Sequence, residues 1–553
     1  MDEHLRRIKD KMHVRYLGKG IQNELIQLLS NAIKQKILAS ARAAKYFSII
    51  LDCTPDAGHV EQMTMIIWFV DRPTSETENE TESVCIKEHF LGFVSLMETT
   101  GAGVTETILH QLEEMSLPIE NLRGQGYDNG SNMKGKENGV QQIILDINPR
   151  AFFIPCSAHL LNVVVSDAAK CCLEATAFFD LVQRVYVYSS ASTRRWEVLT
   201  HHVSNLTVKP LSETRWESRI DALKPLRYQL GDIYDALLEI YDDTTLTGSS
   251  GNMSQVDAKD LAKAISSFKF LVSLVVWYDI LFEINMISRQ LQAKEFDISD
   301  AINQLGEIKK FLVGHRIDTD FEKTLVDAGE LAEELDVLAL FEPDTICIRE
   351  KRKQFTYEAD DKPIYNPKEK FKVNFYFAVI DTTVYLVEER LTLMQQISSV
   401  FGFLYDDYSL QNTRPKQIME HCLNLEQALQ HGESKDIDAF DLCNELQAIT
   451  RRVQKTASPQ DVLNFLWKNK LTDSVSNTVT ALRILLTLPV SVASGERSFS
   501  KLKLIKTYMR TSVLQQRLVG LSTLSIEHDI ACSIDLEELV SKFAKLKAWK
   551  NKF

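Results

Sequence analysis

Asp52 closes the apolar run Tyr46-Phe-Ser-Ile-Ile-Leu-Asp52. A carboxylate at the end of a buried strand stands where the sheet meets solvent. That place suits a ligand for a divalent metal, and it equally suits a turn residue or a helix N-cap. Asp128 ends a second short strand candidate, in Gly124-Gln-Gly-Tyr-Asp-Asn-Gly-Ser-Asn-Met133, where Asn129 and Asn132 add further oxygens. If the two strands are neighbours, Asp52 and Asp128 lie side by side. Two carboxylates at that range repel and require a cation between them; an Asx-turn is the structural alternative. Glu496 follows Ser494, a candidate N-cap, in the first turn of a helix. An acid there is favourable through the helix dipole alone, so taken singly Glu496 carries no chemistry.

Cys156 and His159 are three residues apart, a spacing that could begin a zinc site. Such a site needs two more ligands, which the sequence does not supply, so no zinc is expected. His159 reads either as a support for the Asp52 and Asp128 region or as a satisfied core histidine. The nine cysteines are odd in number and lack C-x-x-C spacing. They point to a reducing compartment with free thiols, and the adjacent Cys171 and Cys172 do not suit one shared zinc.

The elements that must position these residues can be read from periodicity. Ile21, Leu25, Leu28, Leu29, Ile33 and Ile37 recur at helical spacing between Leu17 and Lys45. Three strand-like runs follow, Tyr46–Asp52, Met63–Val70 and Ile86–Val94, rich in β-branched and aromatic residues. A helix over Gly103–Met115 precedes a strand over Leu122–Tyr127, then a helix from about Glu137 to Leu145, a strand over Ala151–Ile154, and a helix from near His159. The order β-β-β-α-β-α-β-α is the ribonuclease-H-like order, which other mixed α/β domains can imitate. From about Thr200 to Pro459 the pattern is almost wholly helical, with loop-like breaks at Asp242–Ser254, Phe341–Pro367 and Gln411–Pro415. The second break holds Arg349, Lys351, Arg352 and Lys353, which read as a solvated loop or as a nuclear-import or phosphate contact. Helices over Gln460–Trp467, Val475–Leu486 and Leu536–Trp549 complete the reading.

The 553 residues, 44% hydrophobic and 25% charged, exclude the disordered class and allow two to four folding units. The formal net charge of -13 excludes a basic nucleic-acid glove, so any grip on DNA must come from a local patch. The first residues lack the apolar core of a secretion signal, and no uninterrupted apolar segment reaches about 18 residues. The expectation is a soluble, intracellular protein with no membrane role.

Five ordered motifs carry a family resemblance: Ile49-Ile-Leu-Asp-Cys-Thr-Pro-Asp56, Gly126-Tyr-Asp-Asn-Gly-Ser-Asn-Met133, Cys156-Ser-Ala-His159, Thr214-Arg-Trp216 and Ser494-Gly-Glu-Arg-Ser-Phe-Ser500. In order and spacing they resemble hAT transposases, in particular the zinc-finger MYM-type protein 1-like group of domesticated hAT proteins. The resemblance covers about Leu17 to Asp529. It implies an α/β ribonuclease-H-like core interrupted by a large all-α insertion, helix-rich overall. The expected divisions are an N-terminal helical segment (1–45), the first part of the core (46–199), the helical insertion (200–458), and the rest of the core with a dimerisation region (459–553).

The resemblance further implies a D-D-E set of Asp52, Asp128 and Glu496 as catalytic metal ligands, with Mg²⁺ or Mn²⁺ if the chain is active. In such centres two ions roughly 3.5–4 Å apart clamp the attacking and leaving oxygens of a phosphodiester. It implies that Arg215 meets phosphate while Trp216 stacks on a base, with His159 near the phosphates, although a buried Trp216 anchoring the insertion is the structural alternative. The implied partners are a second copy or higher oligomer through the C-terminal region, and DNA, weakly or with a partner's help; the implied compartment is the nucleus. No C-x-x-C pair precedes Asp52, so this chain alone is not expected to carry the Cys-rich module by which active relatives read element ends.

Overall fold

The computed structural model describes residues 18–71, 83–127, 130–135, 137–155, 157–212, 217–291, 298–342, 366–405, 410, 413–453, 457–489 and 493–548. The chain divides into two compact units, residues Met1–Cys156 with Gln396–Phe553, and Ser157–Gln395.

The first unit is built on a mixed five-stranded sheet. Its strands are β1 (Phe47–Pro55), β2 (Glu61–Asp71), β3 (Cys85–Ser95), β4 (Leu122–Tyr127) and β5 (Phe152–Pro155), in the order β3-β2-β1-β4-β5. β1, β2 and β3 run antiparallel, whereas β4 joins β1, and β5 joins β4, in parallel. Successive side chains alternate between the faces of a strand, and the two faces here have different partners. Phe47, Ile49 and Leu51 of β1, with Met63, Met65, Ile67 and Phe69 of β2, share one core with α1 (Lys19–Ala44), α2 (Gly101–Glu114) and α3 (Val140–Ile147). The amphipathic spacing of Ile33, Ile37, Leu38 and Ala41 lays α1 along this face.

The opposite face carries Ser48, Asp52, Gln62, Thr64 and Trp68 and is covered by C-terminal helices. These are α4 (Ser476–Thr487) and α5 (Ala493–Ile505), while the next helix, α6 (Gln515–Ile526), packs on α1 and on the edge strand β3. The Trp68 indole N–H donates to the Leu486 carbonyl at 3.0 Å. Residues more than 400 positions apart thus finish one sheet.

Helix α6 was not foreseen from the periodicity. Its buried positions are Leu518, Gly520, Ser522 and Thr523, a stripe of small and polar residues rather than an apolar one. The reason is close packing on α1: a Cβ placed on Gly520 would come within 2.6 Å of Ile26 Cγ2. The almost wholly helical stretch also contains a small antiparallel hairpin, Gln430–His431 with Ser434–Lys435, too short to show a two-residue period. The expected break at Asp242–Ser254 shrinks to a short link, because a helix starts at Gly248 within the polar Gly/Ser run.

The described elements of the second unit are all helices. Its central helix, Phe268–Leu291, packs against Ser157–Ala168, Glu217–Tyr228, Ile298–His315 and Asp318–Glu334. Phe268–Gln290 is long and apolar enough to cross a membrane by length and composition, and 78% of that window is buried inside the protein. Trp277, fully buried, meets Phe179 edge-on at 4.9 Å, and Phe178 lies against Phe270 at 5.2 Å.

Candidate functional site

Asp52 lies near the end of β1, half-buried, opposite Thr64 of β2. Its Oδ1 accepts the backbone N–H of Cys53 at 2.9 Å. The first turn of α5 is pressed onto this point. A Cβ on Gly495 would stand 2.9 Å from Asp52 Cβ and 3.4 Å from its Oδ2, so the approach depends on Gly495 having none. Glu496, the next residue, is exposed. The Ser498 hydroxyl, buried, lies 3.0 Å from Thr64 Oγ1 and 2.7 Å from the Gly495 carbonyl. The start of α5 is thereby fixed on the two strands that carry Asp52 and its register partner. Structure brings Asp52 and the Gly495–Glu496 turn together although residues 52 and 495 are 443 positions apart.

Beside them Asp56, the residue after β1, is buried and committed. It accepts from Lys506 Nζ at 2.5 Å, Gln62 Nε2 at 3.0 Å, and the backbone N–H groups of Gly58 at 2.7 Å and Val60 at 3.3 Å. Burial pushes its carboxyl up, and these donors, Lys506 foremost, outweigh that and hold it below the usual range. Gln62 and Gln515 exchange hydrogen bonds at 3.0 and 2.8 Å, and Gln515 also donates to the Phe93 carbonyl at 2.9 Å. Asp56 is therefore the clasp that holds α5 on the sheet. Lys506, Ser498 and Thr64 were not singled out from sequence. The alternation of Gln62 and Thr64 with Met63 and Met65 was the available signal for a polar face.

The remaining candidates divide by what the structure describes. β4 runs beside β1 in parallel, with Ile50 opposite Gly126, and ends at Tyr127. Tyr127 is fully buried, its hydroxyl donates to Gln125 Oε1 at 2.8 Å, and burial raises its pKa far above the ordinary value. Asp128, the next residue, lies outside the described residues, as do Cys156, Arg215 and Trp216. His159 falls in the first turn of the helix Ser157–Ala168. The other Arg-Trp pair, Arg195-Trp196, serves intramolecular packing: Arg195 lies over the Tyr188 ring at 4.3 Å, and Trp196 meets Tyr186 edge-on at 6.4 Å. Among the described residues no three His, Cys, Asp or Glu side chains are grouped to hold a metal.

At the other end of β1 and β4 the charges are closed. Arg123, 1% exposed, donates to Asp436 through Nε and NH2, each at 2.8 Å, and through NH1 to the Glu120 carbonyl at 2.6 Å. Arg150 lies 3.4 Å from the same carboxylate, and the Tyr46 hydroxyl donates to it at 3.2 Å. Burial lowers the pKa of Arg123 against the opposing pull of Asp436. Nothing near Arg123 in the sequence pointed to Asp436, 313 residues away.

Comparison with known proteins agrees with this architecture. The family model described as the ZMYM1/FAM200 RNase-like domain (DUF4371) matches residues 6–139, which include β1 to β4. That for the hAT family C-terminal dimerisation region matches residues 444–530, which include α4, α5 and α6. By its sheet and these matches the chain is similar to hAT transposase-derived proteins, an RNase-like sheet joined by a hAT C-terminal region. Among curated proteins it is similar to the human "52 kDa repressor of the inhibitor of the protein kinase", 23% identical over 564 residues, covering 97% of this chain and 68% of that protein. The mouse protein of the same name is 22% identical over 562 residues, covering 96% and 68%.

Proposed function

We propose that this chain is a transposase-derived dimerising protein that binds nucleic acid weakly or through partners, and whose role does not require catalysis. The observation that carries the reading is an apolar surface inside the matched dimerisation region. Leu504, Tyr508, Met509 and Leu514 are 70%, 88%, 88% and 73% exposed. Four large apolar side chains exposed within eleven residues are a candidate interaction site, and a second copy of this chain is the occupant that the matched region supports. The same region turns inward elsewhere: Leu502, Leu518 and Phe499 are buried, and Phe499 stacks on Phe93 at 5.8 Å. One segment thus serves both the core and the proposed partner. The net charge of -13 favours weak or assisted contact with DNA, in the nucleus on this reading. Sedimentation of the whole chain tests the proposal. A dimer at micromolar concentration supports it, and a monomer there overturns it.

A second reading has its own support, the approach of Gly495 to Asp52. Asp52, Asp128 and Glu496 are the acids that would hold Mg²⁺ or Mn²⁺, since an all-oxygen set suits these hard cations and zinc lacks its nitrogen and sulfur ligands. The ions would supply charge neutralisation at a phosphodiester. The chain's own part is to hold Asp52 on β1 and to fix the start of α5 through Gly495, Ser498 and Thr64. Arg215 and Trp216, with His159, would meet phosphate and an unstacked base. The test is incubation of the whole chain with Mg²⁺ or Mn²⁺ and a pre-nicked DNA, beside Asp128→Asn. Metal-dependent cleavage lost in the variant establishes the enzyme; absence of cleavage in both favours the dimerising role alone.

A further inference from the structure

A cavity that the preceding account does not use lies in the first unit, between α1, α2, α6 and the edge strand β3; its volume is about 570 Å³. A volume in that range holds a small organic molecule. A β-bulge shapes it. Met65 pairs with Gly92 and Ile66 with Phe90, so Leu91 is an extra residue in β3, and Gly92 follows it at φ +151°. Leu91, Met65 and Met115, all buried, give the cavity an apolar side. The end of α2 that carries Met115 is tied to α1, because the Arg42 guanidinium donates to the Met115 carbonyl at 3.0 and 3.3 Å. Helix α6 is tied to α1 as well, where Gln27 Nε2 donates to the Gln516 carbonyl at 3.3 Å. The walls thus belong to elements fixed on one another.

The other side of the cavity is charged. Lys34 of α1 lines it, partly buried, and among the described residues its ammonium has neither an ion-pair nor a hydrogen-bond partner. Burial lowers its pKa below the ordinary lysine value, and the Glu114 charge acts against this. Glu114 stands beyond ion-pair range of Lys34 and is held by its own helix: it accepts from Gln111 Nε2 at 2.8 Å and lies 3.9 Å from His110 Nδ1. A partly desolvated cation is costly until an anion joins it. We propose that this cavity binds a small monocarboxylate, with the carboxylate against Lys34 and the hydrocarbon body on Met65, Leu91 and Met115. One cation balances one negative charge, and Glu114 repels a dianion such as phosphate more strongly than a monoanion. Asn31 and Gln516 line the same cavity and carry amide N–H donors suited to the second carboxylate oxygen.

Calorimetric titration of the whole chain with hexanoate tests this, beside hexanol, hexylamine and inorganic phosphate. Hexanoate is expected to bind with a dissociation constant on the order of 1 mM, the strength of one ion pair and a short apolar body. Lys34→Met keeps the length of the side chain and removes its charge. It is expected to weaken hexanoate at least about tenfold, with the melting temperature of the unliganded protein unchanged or raised, since an unpaired cation gives way to an apolar group. Glu114→Gln, at an exposed position, leaves the fold untouched and removes the repulsion, so it is expected to tighten hexanoate by about twofold to threefold. No binding of hexanoate at about 20 mM overturns the proposal, as does equal affinity in wild type and Lys34→Met, or weaker binding in Glu114→Gln. Hexanol that binds as tightly as hexanoate shows a cavity indifferent to charge, and tighter hexylamine puts Glu114 in the place of Lys34; either result overturns the proposal. Phosphate that binds more tightly than hexanoate overturns the choice of a monocarboxylate.

Discussion

The two ends of the five-stranded sheet handle charge in opposite ways. At the end where β1 and β4 begin, two nearly buried arginines and the Tyr46 hydroxyl meet one carboxylate, and both arginines also donate to the Glu120 carbonyl. At the end where β1 finishes, Asp56 is closed in this way by Lys506. Asp52 stays half-exposed and Glu496 exposed, a few residues from that clasp. Burial with a full set of partners marks charge that holds the fold together. Asp52 and Glu496 are less buried and stand beside a fixed helix start, the place that the proposed second reading gives to a metal-binding centre.

Substitutions can break this contrast. The largest effect is expected for Asp436→Ala, which strands Arg123 and Arg150 without their anion; removing one partner of a buried pair costs about 3–5 kcal/mol. Chemical denaturation of the variant checks it, and a loss below about 1 kcal/mol would remove the structural role from that end. Lys506→Met comes next, at about 3 kcal/mol, because it leaves the buried Asp56 carboxylate without its cation. This pair also sets a pH dependence. The folded-state pKa of Asp56 lies below its unfolded value of about 3.9, so its stabilisation is complete above that pH and is lost as the pH falls through the lowered folded value. Wild type is expected to lose stability more steeply than Asp56→Asn below about pH 4, measured by denaturation from pH 6 to 2.

Two smaller effects sharpen the contrast at the Asp52 end. Glycine to alanine inside a helix normally stabilises by up to about 1 kcal/mol. Gly495→Ala is expected to destabilise by about 1–2 kcal/mol instead, since the added carbon meets Asp52 Cβ at 2.9 Å. A stabilised variant would mean that α5 does not press on β1. Asp52→Asn is expected to shift stability by less than about 1 kcal/mol, as at sites not committed to the core. A loss as large as that of Asp436→Ala would make Asp52 another structural acid and erase the difference between the ends.

How much of this was legible in the sequence follows from the physics of each element. The strands were readable because β1 and β2 are covered on both faces and so write long apolar runs, as in Ile49-Ile-Leu51 and Ile66-Ile-Trp-Phe-Val70. Helix α6 was not, because Gly520, Ser522 and Thr523 bury a tight backbone contact instead of an apolar stripe. Asp52 was found from its place at the end of a strand, which is local information. Its neighbour Gly495 was recognisable only as part of a family motif, and the clasp between Asp56 and Lys506 spans 450 residues that no periodicity connects. Asp436 was missed for the same reason: an acid just after a short hairpin carries no mark of the two arginines that it neutralises. Asp128, Arg215 and Trp216 rest on the motif resemblance and on the end of β4 at Tyr127.

The proposal that the C-terminal segment joins two copies is tested most directly by the dimer dissociation constant of the whole chain and of Tyr508→Ser/Met509→Ser, from sedimentation across nanomolar to micromolar concentrations. Both side chains are 88% exposed, so their loss should leave the melting temperature of the monomer fold unchanged. The account predicts at least about tenfold weaker association in the double variant, the ratio expected when roughly 1.4 kcal/mol of interface energy is lost. An unchanged dissociation constant, or a wild-type chain that never dimerises, would contradict it.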